Sequence, residues 1–150
     1  MSLKYASSIL YIKNCITRIS WRNILFKIPS FLVILALWFF SSQNSLPRLR
    51  GFAGSDKIEH GIAYFILTCA LSLWFPLEQW KKKGFIIALF IVFIAVIYGT
   101  IDEMHQFFTP GRECDIVDIC ADGIGACIAA FSILILIKIY LKHINNKKRK

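Results

Sequence analysis

The sequence predicts an all-helical polytopic membrane protein, a four-transmembrane-helix bundle preceded by an N-terminal interfacial amphipathic helix. Three observations carry this expectation. More than half of the 150 residues are apolar, and several runs approach the ~20 residues needed to cross a hydrocarbon core of about 30 Å. The net charge of +9 is concentrated in a few clusters rather than spread along the chain. Eight of the nine acidic residues fall in two short stretches, which the topology places on one side of the bilayer.

The elements follow in order. Residues 5–27 mix Ile, Leu, Trp21 and Phe26 with spaced Lys and Arg, a composition suited to a helix lying in the cytoplasmic leaflet interface. The first span is expected over about residues 24–42, with Pro29 near its entry, where a missing N–H does least harm. Its apolar region begins too late for a cleavable leader, and no small-x-small site follows it. A Ser-, Gly- and Pro-rich loop covers residues 43–55. The second span is expected over 58–77, with Trp74 and Trp80 near its end in the position of an aromatic belt. A short connection, 78–83, leads to a third span over 84–104. A turn around Thr109-Pro110-Gly111-Arg112 precedes a fourth span over 116–141. Along that last span Ala121, Gly125 and Ala129 recur every four residues, a stripe of small side chains that lets helices approach closely.

Lys4, Lys13, Arg18, Arg22 and Lys27 precede the first span, Lys81-Lys82-Lys83 separate the second and third, and Lys138, Lys142 and Lys147-Lys148-Arg149-Lys150 end the chain. The positive-inside rule therefore puts both termini and the lysine triplet in the cytoplasm of a multi-pass protein. Arg48, Arg50 and Lys57 in the first outer loop are outweighed by these clusters. Basic residues beside spans attract anionic lipid head groups, so the charge is read as a topology signal and not as a nucleic-acid surface. The five cysteines form no C-x-x-C pair; Cys69, Cys120 and Cys127 lie in apolar spans, where a thiol behaves as a small hydrophobe.

Acids at membrane depth are costly, about 2.5–3.5 kcal/mol each at the centre of a span, so they mark the candidate site. Asp56, His60 and Tyr64 are spaced by four along one face at the start of the second span, and Asp56 with Glu59 also fits a capping box. Asp102, Glu103 and Gln106 end the third span. Carboxylates at a helix C-terminus oppose the helix dipole, so they call for a partner or a function; His105 lies on another face. Asp115, Asp118 and Asp122 open the fourth span on one face. Asp115 is explained as an N-terminal cap, Glu113 as a loop residue. Arg112 is the expected cation for the deeper aspartates, with Lys57 and His60 as further candidates.

Asp56-Lys57-Ile58-Glu59-His60 followed by Tyr64, then Glu103-x-x-Gln106, then Pro110-Gly111-Arg112 with Asp118 and Gly125, resembles the VanZ-like membrane protein family. Ser41-Ser42-Gln43 at the end of the first span is similar too. The resemblance runs over about residues 31–130 and implies a VanZ-like four-helix domain over 28–142 in the inner (plasma) membrane, between a basic segment 1–27 and a basic tail 143–150. The family takes its name from a protein that gives low-level resistance to the lipoglycopeptide teicoplanin. Where the family has Asn four residues after the Asp of the fourth span, this chain has Asp122, which adds a negative charge.

Three readings of the polar residues stand side by side. In the first, Lys57, His60, Tyr64, Glu103, Gln106, Arg112, Asp118 and Asp122 form an extracytoplasmic site for a lipid-linked or lipidated envelope ligand, with Arg112 and Lys57 on a phosphate or carboxylate. In the second, the protein is a membrane enzyme with His60, Glu103 and Asp118 as catalytic candidates, His60 acting as acid or base. A divalent metal on His60, Glu103 and the aspartates belongs to this reading; none of the H-x-x-x-H, H-E-x-x-H or C-x-x-C spacings is present, so no resident cofactor is expected. In the third, the cluster is interhelical glue of a kind common in bundles.

Overall fold

Among the described residues four segments satisfy their backbone as helices, and their lengths decide which of them can cross a bilayer. The computed structural model describes residues 24–43, 54–110, 112 and 114–148. Within them α1 is Ile28–Ser41, α2 is Ser55–Ser72, α3 is Leu77–Gln106 and α4 is Ile116–Lys148, with no strand among the described residues. Most of the expected interfacial helix and the first outer loop, including Arg48 and Arg50, lie outside the described residues, as does Glu113.

Among the described residues two helices, α3 and α4, are long and apolar enough to span a membrane. At 1.5 Å per residue they measure about 45 and 50 Å. The 14 residues of α1 reach only about 21 Å, and Pro29 sits in its first turn. In α2 the polar stripe Asp56, Lys57, Glu59 and His60 occupies the opening turns and dilutes its apolar character. The boundaries differ from the expected spans in three places. The second helix stops at Ser72 rather than near residue 77, because Pro76 disfavours helical backbone before it and itself stands at the N-cap of α3 with φ −64° and ψ 155°. The 78–83 connection is not a loop but the opening of α3, separated from the rest by a kink at Lys83 (φ −135°, ψ 27°). The fourth helix continues past residue 141, so the described part of the basic tail is helical.

The order of the elements brings the C-termini of α1 and α3 and the N-termini of α2 and α4 to one end. The central helix, α4, packs along both α2 and α3, while α1 lies more lightly against α2 and α3. Small residues make the close approach possible. A Cβ on Gly125 would overlap the backbone carbonyl of Gly61, so the expected small-residue stripe is where α2 and α4 cross. Ala126, Ala129 and Ala130 are fully buried beside Leu67, Leu71, Ala88, Ile91 and Ala95. At the kink, a Cβ on Gly84 would lie 2.8 Å from the Leu134 side chain. Gly54 begins α2 with φ 92°, a left-handed backbone that only glycine adopts freely. Gly54 is thus the N-cap, two residues before the Asp56 cap expected from the sequence.

The outer surface is apolar over long stretches. Phe31, Leu32, Leu35 and Phe39 of α1, Phe85, Ile86, Leu89 and Phe93 of α3, and Ile124, Ile128, Ile135 and Ile139 of α4 are all exposed. Exposed apolar surface on this scale marks contact with lipid or another protein. At the basic end of the bundle, Lys27 Nζ lies 5.2 Å from the centre of the Trp74 ring, whose Nε1–H donates to Ser30 Oγ at 2.8 Å. Trp80 Nε1–H donates to the Ser72 carbonyl at 3.3 Å.

Candidate functional site

The convergence of four helix ends explains how so many carboxylates coexist. The N-termini of α2 and α4 carry positive partial charge, and they face the acids that close α3. Glu103 shows this directly: its Oε2 accepts the backbone N–H of Asp115 at 3.1 Å, just before α4. Asp115 Oδ1 in turn accepts the Val117 N–H at 2.8 Å, so Asp115 caps α4 as expected.

Lys57 is the cation that answers the aspartates. Its Nζ lies 2.6 Å from Asp118 Oδ1, 2.6 Å from Asp115 Oδ2 and 3.0 Å from Asp56 Oδ2. These bonds hold the Asp56 and Asp115 carboxyls below the usual carboxylate range. Partial burial works against the Lys57 ammonium, yet the bonds from Asp115, Asp118 and Asp56 outweigh it and raise its pKa above the usual lysine range.

Arg112 does not take the place expected of it between the deeper aspartates. Its Nε donates to the Gln43 carbonyl at 3.3 Å and its Nη2 to the Phe40 carbonyl at 3.4 Å. The Phe40 carbonyl also accepts the Gln43 N–H at 3.1 Å; the carbonyls at the end of α1 carry the negative end of the helix dipole and draw the guanidinium to the rim.

His60 is the hub. Its Nδ1 lies 3.0 Å from Asp122 Oδ1, and its Nε2 lies 3.8 Å from Glu103 Oε1 and 3.9 Å from Asp118 Oδ2. Glu103 and Asp122 are completely buried and Asp118 is 7% exposed. Asp102, buried beside them, has Oδ2 3.4 Å from Gln106 Nε2. Several buried atoms have no hydrogen-bond partner: Glu103 Oε1, Asp122 Oδ2, Asp102 Oδ1 and the Tyr64 hydroxyl. The donor atoms of His60, Glu103 and Asp118 all lie within 4.8 Å of one another, the set that could hold a metal ion.

A cleft of about 190 Å³ opens beside this cluster between α1, α2 and α3. Leu37, Phe40 and Ala63 give it an apolar side; Ser41, Glu59, His60, Tyr64, Asp102, Gln106 and Arg112 give it a polar one. A larger cavity of about 580 Å³ lies at the opposite end between Trp74, Trp80 and Ile137, and no titratable group lines it.

The structure thus gathers all eight expected residues at one end. Lys57, His60, Glu103, Asp118 and Asp122 form a contiguous polar network, while His60, Tyr64, Gln106 and Arg112 line the cleft. His105 packs against Trp38 with ring centres 3.9 Å apart and planes tilted by 32°, and its Nδ1 lies 3.5 Å from Ser41 Oγ at the edge of the cleft. One contributor escaped sequence reasoning. Gly99 leaves room for Asp122, whose Oδ2 would lie 2.6 Å from a Cβ there. Asp102, an acid expected to need a partner, and Ser41, at the end of the first span, line the cleft.

A VanZ/LLP1 family model matches residues 2–138. No curated protein and no solved structure matches the chain. The family match covers nearly the whole sequence and includes every residue of the polar end, and the chain belongs to the VanZ/LLP1 family.

Proposed function

We propose that this protein crosses the plasma membrane four times, with both termini cytoplasmic, and binds a lipid-linked or lipidated cell-envelope molecule at the extracytoplasmic end of the bundle. The observation that carries this reading is the two-sided cleft. Its apolar side, Leu37, Phe40 and Ala63, faces the polar His60, Tyr64, Gln106 and Arg112 across about 190 Å³, which suits the junction of a head group and a hydrocarbon chain. Lys57 is surrounded by three carboxylates, so Arg112 makes the contact to a phosphate or carboxylate of the ligand. Two of its nitrogens brace α1, and the third is left to pair with an oxyanion. Contribution to lipoglycopeptide (teicoplanin) resistance follows from such binding.

The test is the susceptibility of a bacterial host lacking its own family member. Expression of the chain is expected to raise tolerance to teicoplanin, and Arg112→Ala is expected to abolish the rise at an unchanged level of membrane-inserted protein. Full tolerance with Arg112→Ala would remove Arg112, and with it this reading of the cleft.

A further inference from the structure

We propose that His60 Nε2, Glu103 Oε1 and Asp118 Oδ2 are the three protein ligands of a divalent metal ion, Zn²⁺ or Mn²⁺, bound behind the cleft. The site adjoins the proposed envelope-ligand cleft through His60, but it stands on its own geometry and does not require that ligand.

Each of the three side chains turns one atom toward a common point and has its other atom held from behind. His60 Nδ1 is 3.0 Å from Asp122 Oδ1; a carboxylate there accepts an N–H, which leaves the lone pair on Nε2. Glu103 Oε2 accepts the Asp115 N–H at 3.1 Å, which leaves Oε1, buried and without a hydrogen-bond partner. Asp118 Oδ1 makes no hydrogen bond of favourable angle but is ion-paired to Lys57 Nζ at 2.6 Å, which leaves Oδ2. A carboxylate behind a ligating histidine, with the ligating carboxylates themselves held by donors, is the outer shell that orients metal ligands.

The front of the cluster lacks the matching element. Nε2 faces two carboxylate oxygens at 3.8 and 3.9 Å, beyond the 2.7–3.2 Å of a direct N–H···O bond, so neither pairs with the imidazole. A lone pair and two carboxylate oxygens converging in an apolar bundle repel one another unless a cation lies between them. Donors on a tetrahedral zinc, at about 2.0–2.2 Å from the ion, sit roughly 3.4 Å apart. The two separations from Nε2, 3.8 and 3.9 Å, come within about half an ångström of that, and the three ligand atoms all lie within 4.8 Å of one another. One imidazole and two carboxylates suit zinc or manganese and leave a coordination position open, as three-ligand sites do.

The experiment is a titration of the purified full-length chain, stripped with chelator in detergent micelles, with Mn²⁺ followed by electron paramagnetic resonance and with Zn²⁺ followed by calorimetry. One saturable site per chain is expected. His60→Ala and Glu103→Gln should weaken it by about 100-fold or more, and Asp122→Asn, which acts through His60, by roughly 10- to 100-fold. Trp80→Phe, at the far end, should bind as the parent does. Glu103→Gln preserves shape and the bond from Asp115, so it separates loss of the metal from loss of the fold; size-exclusion profile and helical circular dichroism are matched for every variant. No saturable binding by the parent chain, or parental affinity in Glu103→Gln, would overturn the proposal. The first outcome would mean that a proton on His60 occupies the space instead.

Discussion

The two ends of this bundle each carry an opening, and they solve opposite problems. At the basic end the larger cavity, about 580 Å³, is walled by aromatic and aliphatic side chains. Its polar groups are indole N–H donors with local acceptors, Ser30 Oγ and the Ser72 carbonyl. At the acidic end the smaller cleft abuts five buried or partly buried ionisable residues, and several of their atoms are left without partners. Cavity size therefore does not locate chemistry here. The larger space is a gap at a helix–helix turn with its polar atoms satisfied. The smaller one borders groups whose burial is costly until something else meets them.

This contrast is sharpened or broken by substitutions placed at each end and between them. The largest effect belongs to the shared scaffold. Gly125→Val would drive side-chain carbon into the Gly61 carbonyl, and it is expected to cost more than about 3 kcal/mol, read as loss of monodisperse protein from membranes. Next comes Lys57→Met, which leaves Asp118 without its cation. A fully buried pair costs roughly 3–5 kcal/mol to break from one side. With the Lys57 side chain 28% exposed, about 2 kcal/mol is expected in thermal unfolding of the purified protein.

Trp80→Phe removes one hydrogen bond at the aromatic end and is expected to cost about 1 kcal/mol while leaving ligand and metal binding intact. A loss of binding there as large as at the acidic end would break the comparison.

The smallest effect is a pH dependence. Asp56 and Asp115 have pKa values held below their ordinary 3.8 in the folded chain, so the stability they contribute is complete above that pH. It is lost as pH falls through the lowered values. The Lys57 pKa is raised above its ordinary 10.5, so its contribution is complete below that pH and fades only in stronger alkali. As pH falls below 3.8 the parent chain should lose more thermal stability than Lys57→Met. Parallel losses would show that Asp56 and Asp115 do not act through Lys57.

Much of the acidic end was legible before any coordinates, for identifiable reasons. Helical spacing put Asp115, Asp118 and Asp122 on one face, and the dipole argument singled out Asp102 and Glu103 as acids that need an answer. The small-residue stripe at Gly125 correctly marked a close crossing. The pairings were not legible, because they depend on which helices neighbour each other. Arg112 was the nearest cation to Asp118 in sequence, yet the carbonyls at the end of α1, some seventy residues away, hold it. Lys57 reaches Asp118 because α2 and α4 begin at the same end. Gly99 carried no motif; its role follows only from Asp122 lying against it. Helix lengths were misread where proline acted at a distance, with Pro76 ending α2 early and the Lys83 kink hiding a helical connection inside α3.

The central claim is that ligand recognition belongs to the acidic end, with Arg112 as its anion contact. Its most direct test is the binding of a polyprenyl phosphate to purified parent, Arg112→Ala and Trp80→Phe proteins in detergent, measured by native mass spectrometry. Saturable binding to the parent and to Trp80→Phe, weakened at least about tenfold (roughly 1.4 kcal/mol) by Arg112→Ala, is the result expected. Equal binding by all three, or a loss confined to Trp80→Phe, would contradict it.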